Sequence, residues 1–317
     1  MEYLFSPSPE SPVLVIGAAG VDIVGSLKGE LHMGTSNPSR IRSSFGGVAR
    51  NVSENLARLG QSVRLLTAVG DDEIGERLLD QITSAGVDVS AARRTPGKPT
   101  GTYLAVVDSR GALQFALDDM YTISSLTPAF MESNYHLFKD ASALFLDANL
   151  SKETLRKAVS LARRARIPIC ADPTSAALAG KMRPHLPKMG LIVPNCNEAE
   201  ILCERTIDAS KRRQTLEAAK CLVNQGVDVV IITLAQYGVC YATSEMSGHI
   251  PAIRTEIIDP TGGGDALTAA VIFALLNEIP LDDAVRLGVS AATYTLRYSG
   301  AVVPDLTLEK LYDRLVI

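Results

Sequence analysis

No stretch of the 317 residues reaches the ~18 uninterrupted apolar residues of a membrane-spanning helix, so no membrane association is expected. A basic surplus is missing too. With 31 Lys plus Arg against 35 Asp plus Glu the net charge is -4, which leaves nothing to neutralise a phosphate backbone and argues against nucleic acid as a partner. The five cysteines (Cys170, Cys196, Cys203, Cys221, Cys240) are scattered, with no C-x-x-C pair. They read as reduced, packed thiols in a reducing compartment, cytoplasmic or inside an organelle. The four histidines (His32, His136, His185, His249) form no H-x-x-x-H pattern, so an all-protein zinc site has no support. Residues 1–12, MEYLFSPSPESP, lack the basic and apolar regions of a secretory signal and read as a flexible tail or the cut end of a longer polypeptide. Two phosphate-handling signatures are absent as well. There is no G-x-x-x-x-G-K-[ST], the nearest Gly97-Lys98 being followed by Pro99, and no H-R-D or D-F-G.

What remains is ordinary globular composition, 46% apolar and 21% charged, in a strict alternation of strands and helices. VLVIGAA is followed by Val48, Val52, Leu56 and Leu59 at helical spacing, then by VRLLTAVG and a helix near Asp72 to Ser84. The rhythm returns in ALFLDA, a helix from Lys152 to Arg166, IPICAD, GLIVPN, a helix near Ser210 to Gln225, and VDVVIITLA. Strands apolar on both faces predict a mainly parallel sheet covered by helices on both sides. The C-terminal third is mostly helical, with Asp265 to Asn277, Leu281 to Tyr298 and Leu308 to Leu315 as segments. Gly29 to Phe45 and Thr102 to Met120 break the rhythm, the second reading as two strands around Ser109-Arg110-Gly111. Together they predict a small β lid, residues about 23–45 and 100–122, on one α/β domain spanning 13–317.

The strongest chemical signal is IIDPTGGGDALTAAVIFALL. Gly262, Gly263 and Gly264 precede a helix that is apolar almost all round and must be buried. Glycines there let several amide N–H groups face an anion at the positive helix end. Asp265 stands in the first turn. A lone aspartate there is commonly a dipole partner, but beside three glycines, and with Asp259 six residues earlier, it reads as a general base next to a phosphate. A second constellation, FGGVARNVSENLARLG, opens a helix with Gly46-Gly47 and places Asn51 one turn in. Asp22 follows the first strand, and PNCNEAE ends a strand at Pro194-Asn195 and opens a helix with Glu198 and Glu200.

In this order GGVARN, PNCNE, ITLAQYG and DPTGGGDA resemble the ribokinase-like (PfkB) carbohydrate and nucleoside kinases across nearly the whole chain. The family's D-T-x-G-A-G-D reads here Asp259 to Asp265, with Pro260 for Thr and Gly263 for Ala. The resemblance implies a ribokinase-like fold, ATP and Mg2+ as cofactors, and K+ as an optional activator. It implies Asp265 as base, Gly262, Gly263 and Gly264 as anion hole, and Asn195 with Glu198 ordering Mg2+ through water. Thr233, Leu234 and Gly238 match the nucleotide-binding T-L-G-x-x-G, with Ala235 in place of its first glycine. Asp22, Gly46, Gly47 and Asn51 match sugar contacts, while Gly20 and Val48 replace ribokinase's Asn and Lys.

Within the family the strings TSNPSRIRSSFGGVARNVSENLARLG, LDDMYTISSLTP, LDANLS, DPTSA and VPDLTLEKL resemble pseudouridine kinases. That implies transfer of phosphate to the 5'-hydroxyl of pseudouridine, with Ser36, Asn37, Asp118 and Asp119 near the base, Asn149 near the sugar, and lids that pair into a homodimer. Pseudouridine carries a ring NH that uridine lacks, and an acceptor facing it would discriminate. Three alternatives stand beside this reading: another sugar or nucleoside kinase of the fold, a catalytically silent ligand sensor, and, more distantly, a nicotinamide oxidoreductase.

Overall fold

The computed structural model describes residues 11–313. Most of the expected tail therefore lies outside the described residues, but Pro12 already belongs to the body, its carbonyl accepting the Ser142 N–H at 3.0 Å. In chain order β1 (Val13–Ile16) leads to β2 (Gly20–Leu27), β3 (Ser39–Gly46), α1 (Val48–Arg58), β4 (Val63–Leu66) and β5 (Ala68–Gly70). Next come α2 (Glu73–Ser84), β6 (Arg93–Thr95), β7 (Thr102–Val107), β8 (Leu113–Asp119), and the short helices α3 (Pro128–Ser133) and α4 (Tyr135–Lys139). The middle of the chain supplies β9 (Ala143–Asp147), α5 (Lys152–Ala165), β10 (Ile169–Asp172), α6 (Ala176–Ala179), β11 (Leu191–Ile192) and α7 (Cys196–Cys203). It continues with α8 (Arg212–Asn224), β12 (Val229–Thr233), β13 (Val239–Ala242), β14 (Ser247–Ile250), α9 (Gly263–Leu276), α10 (Leu281–Leu296) and α11 (Leu308–Tyr312).

Eight strands form the main sheet in the order β14-β13-β12-β11-β10-β9-β1-β4, parallel except for the hairpin of β13 and β14 at one edge. Alternation along each strand divides the core into two layers. Val13 and Val15 face one apolar cluster with α1, α9 and α10, while Leu14 and Ile16 face the other with α5, α7 and α8. Helix α9 packs against both α1 and α10 and is buried nearly all round, which explains its lack of a polar face.

After β1 the chain passes through α1 to β4 on one side and later returns to β9 on the other side of β1. Such a reversal opens a crevice at the carboxyl ends of the strands, the usual place for a ligand in an open α/β sheet. Over this crevice stands the lid, a separate four-stranded sheet in the order β3-β2-β7-β8.

Two strand expectations change. VRLLTAVG breaks at Thr67, where the chain leaves the main sheet and β5 pairs with β6 instead. The Thr67 carbonyl accepts the Arg93 N–H at 2.8 Å and so anchors the switch. GLIVPN contributes only Leu191–Ile192, because Pro194 has no N–H to extend the ladder. The helix expected from Leu281 stops sooner, at Leu296, and α11 runs to Tyr312, its expected end at Leu315 lying outside the described residues.

Candidate active site

The floor of the crevice is the N-terminus of α9. Gly262 has φ +79°, and a Cβ there would overlap the Ala301 carbonyl, so only glycine makes this turn. Around Gly264 the space is open: a Cβ would meet nothing within 4 Å. No side chain caps the helix, which leaves its first N–H groups directed at that space. Asp265 sits here with a partly open face, its Oδ2 accepting the Asn51 amide at 2.7 Å. Burial pushes its pKa up to about 7, with the negative charges of Asp22 and Asp147 adding to the rise and Asn51 and Arg50 opposing it.

Helix α1 forms the adjoining wall. Gly47 (φ +100°) lies against the Ala18 carbonyl, and a side chain at Gly46 would overlap the Asp22 carboxylate. These glycines therefore make room for Asp22 and the turn after β1. Burial moves Asp22 up to about 6, with Arg50 opposing. Asn51 is buried and holds Asp265, in contrast to the solvated polar residue that an amphipathic helix would have there.

Three further residues, unforeseen in the sequence, complete the wall. Asp147, at the end of β9, accepts the N–H groups of Ala18 (2.7 Å), Asn149 (2.9 Å) and Ala49 (3.3 Å), tying β1, β9 and the start of α1 together. Asp172 ends the neighbouring strand in register with Asp147, and burial with the charges of Glu198 and Asp265 holds its pKa well above the ordinary range. Lys181 donates to the carbonyls of Ala148 (2.9 Å) and Leu150 (3.1 Å), bracketing Asn149. The legible signal was a carboxylate ending two consecutive buried strands, LFLDA and ICADP.

On the other side of the crevice Asn195 and Glu198 form a complete capping box on α7. The Glu198 carboxylate takes the Asn195 backbone N–H at 2.8 Å and its amide at 2.6 Å. Asn195 bridges to Thr233 at the end of β12, bringing two sequence-distant motifs side by side. Leu234 contributes no side chain to the crevice, being packed in the core. Gly238 has φ +88° against the Ile250 carbonyl, and Ala235 takes a left-handed φ of 51°, so the turn keeps its glycine-like path despite the methyl group.

The lid needs one correction. Register aligns Asp118 with Tyr103 and Asp22, so these three share the face toward the crevice. Asp119 aligns with Thr102 and Val21 and projects from the opposite face, because successive strand residues alternate. Asn37 spends its amide on its own loop, bonding His32 and the Thr35 carbonyl, and Ser36 is exposed beside it. Arg42, on the crevice face of β3, reaches down to Asp259.

Among the described residues no group of three or more His, Cys, Asp or Glu closes around a metal ion. The donor chemistry nevertheless fits Mg2+ held mainly with water and phosphate oxygens, since Glu198 and Asp172 are carboxylate oxygen donors whose charges act on one another. A surface cavity of about 530 Å³ lined by Tyr294, Arg297, Tyr298, Val303, Pro304 and Asp305 shares none of these residues.

Comparison with known proteins bears on this geometry. The family model described as pfkB family carbohydrate kinase matches residues 11–308. The chain is 32% identical over 297 residues to a pseudouridine kinase of Escherichia coli (strain K12), covering 93% of this chain and 94% of that protein. It is 28% identical over 297 residues to a guanosine-inosine kinase of Exiguobacterium acetylicum, covering 93% and 97%. Arabidopsis thaliana ribokinase, solved with ribose and ATP, superposes with a TM-score of 0.85 at 18% identity over 97% of this chain and 99% of that one.

Proposed function

Because the chain belongs to the pfkB family of carbohydrate kinases and is thus an ATP-dependent sugar or nucleoside kinase, we propose that its substrate is pseudouridine, phosphorylated on the 5'-hydroxyl. The observation that carries the chemistry is the placement of Asp265 beside the open, uncapped N-terminus of α9. Asp265 accepts the proton of the attacking hydroxyl, and its raised pKa suits a base working near neutrality. The N–H groups at Gly262, Gly263 and Gly264, with the helix dipole behind them, stabilise charge on the transferred phosphoryl group. Mg2+, when bound, supplies charge neutralisation on the phosphates, and Glu198 with Asp172 would hold it through water.

Asp22 and Asn149 line the sugar end. Thr233, Asn195 and the turn through Ala235 and Gly238 border the nucleotide, Leu234 acting only through packing. The substrate assignment is supported by the E. coli relative and by Asp118 and Tyr103 on the crevice face of the lid, where a carboxylate can accept the additional ring NH. Ser36 and Asn37 fit this reading as a loop that shapes the lid, and Asp118 takes the part expected of Asp119. The outward lid face exposes Ile41, Phe115 and Leu117, which favours pairing of two lids in a homodimer.

Measuring ATP consumption with pseudouridine, uridine, adenosine, ribose and fructose tests the assignment. Pseudouridine should exceed uridine in kcat/KM by well over tenfold, about 1.4 kcal/mol of transition-state binding or more, with ribose worse than either. Equal use of the two nucleosides overturns it and leaves the broader kinase activity standing.

A further inference from the structure

We propose that Arg50 is a positioning residue for the catalytic carboxylate: it grips the amide oxygen of Asn51 and thereby turns the amide N–H of Asn51 onto Asp265. The inference rests on the reading of Asp265 as the base. An asparagine amide can present either its oxygen or its nitrogen to a neighbour. Here Arg50 Nη1 donates to Asn51 Oδ1 at 3.0 Å, which leaves Nδ2 to donate to Asp265 Oδ2 at 2.7 Å. The flipped amide would set an oxygen against the carboxylate and an N–H against the guanidinium, and a guanidinium stays charged. One arrangement is therefore strongly selected.

Arg50 is 3% exposed, and burying a guanidinium is expensive unless it is paired. Its partner is Glu54, which also accepts from Arg58 Nη2 at 2.6 Å, while Nη1 of Arg50 donates a second time, to the Phe45 carbonyl at 3.2 Å. Two arginines on one glutamate leave a net positive charge beneath the site. Facing it are Asp22 of β2 and Asp265 of α9, while Asp147 of β9 and Asp172 of β10 bring further negative charge to Asp265 itself. The Nε of Arg50 is buried without a partner, so the guanidinium gives up one hydrogen bond in this orientation. An arginine serving only its i,i+4 pair with Glu54 has no need to bend back to the next residue, since neighbours in sequence diverge around a helix.

The test is the pH profile of kcat/KM for the intact enzyme, Asp265→Asn, Arg50→Lys, and the double variant Arg50→Met with Glu54→Gln, which removes both charges of the Arg50–Glu54 pair and leaves the partly exposed Arg58 on the Pro304 carbonyl. With the cation removed, the acid limb should move to higher pH by about one unit, activity recovering on the alkaline side. Arg50→Lys keeps the charge without the fork and should shift less, and it carries the test alone if the double variant does not fold. A limb that stays in place in a variant with lowered Tm makes Arg50 merely structural and overturns the proposal. Normal turnover in Asp265→Asn instead overturns the reading of Asp265, a distinct outcome.

Discussion

Arg42, on lid strand β3, places Nη1 2.9 Å from Oδ2 of Asp259, the buried residue that opens the glycine segment before α9. Asp259 also accepts the N–H groups of Thr261 at 3.0 Å and Gly300 at 3.2 Å, so one carboxylate links the lid to the floor of the crevice. The Arg42 side chain is 42% exposed, and a half-exposed ion pair contributes about 0–1 kcal/mol to stability. Arg42→Ala should therefore leave the melting temperature nearly unchanged while raising the nucleoside KM about tenfold through a looser lid. Steady-state kinetics beside a thermal melt decide this, and an unaltered KM would remove the lid contact from substrate capture.

The glycines before Asp265 should separate into two classes. Gly264→Ala meets no protein atom within 4 Å and replaces a helical glycine, so folding should be kept or improved by about 0.5–1 kcal/mol. The methyl group enters the space that the phosphoryl group needs, and kcat should fall at least a hundredfold. Gly262→Ala forces a left-handed backbone against the Ala301 carbonyl and should lose stability as well as activity. Activity close to normal in Gly264→Ala would move the anion site elsewhere.

Asp265 sets the pH response. Its carboxyl must be ionised to take a proton, and its pKa stands at about 7, so kcat/KM should rise with pH through an apparent pKa near that value. Asp265→Asn should lower kcat by on the order of 10² to 10⁴ with ATP affinity retained. The same shift has a stability consequence. A carboxyl raised above its unfolded value of 3.8 contributes stability fully below that pH and loses it as pH rises through about 7. The Asn variant should thus melt higher than the intact protein at pH 8, on the order of 1–3 kcal/mol more stable, with the difference shrinking toward pH 4. Identical melts at both pH values would contradict the raised pKa.

Strand alternation yields a selectivity prediction. Asp118→Asn, on the crevice face with Tyr103 and Asp22, should narrow the preference for pseudouridine over uridine severalfold without abolishing turnover. Asp119→Asn, on the opposite face, should leave that ratio where it was. Ratios measured on the two variants in parallel check the assignment, and the reverse pattern would place Asp119 at the base.

The sequence by itself determined the periodic features. Apolar runs too short for helices and free of polar interruption dictated a buried parallel sheet, and the all-round apolar character of 266–276 dictated a central helix. Gly262 to Gly264 and Asp265 were legible because glycine and carboxylate at a helix entrance is a local arrangement, complete within seven residues. Local reading also found the two lid hairpin segments, but only the register settled which of Asp118 and Asp119 looks into the crevice, since a shift of one residue exchanges the faces. Tertiary structure alone brought Asn51 to Asp265 across 214 positions, set Asp147 beneath Ala18 and Ala49, and turned Arg50 back upon Asn51. Those contacts depend on where α1 and α9 cross beneath the sheet, a packing outcome that no spacing along the chain encodes.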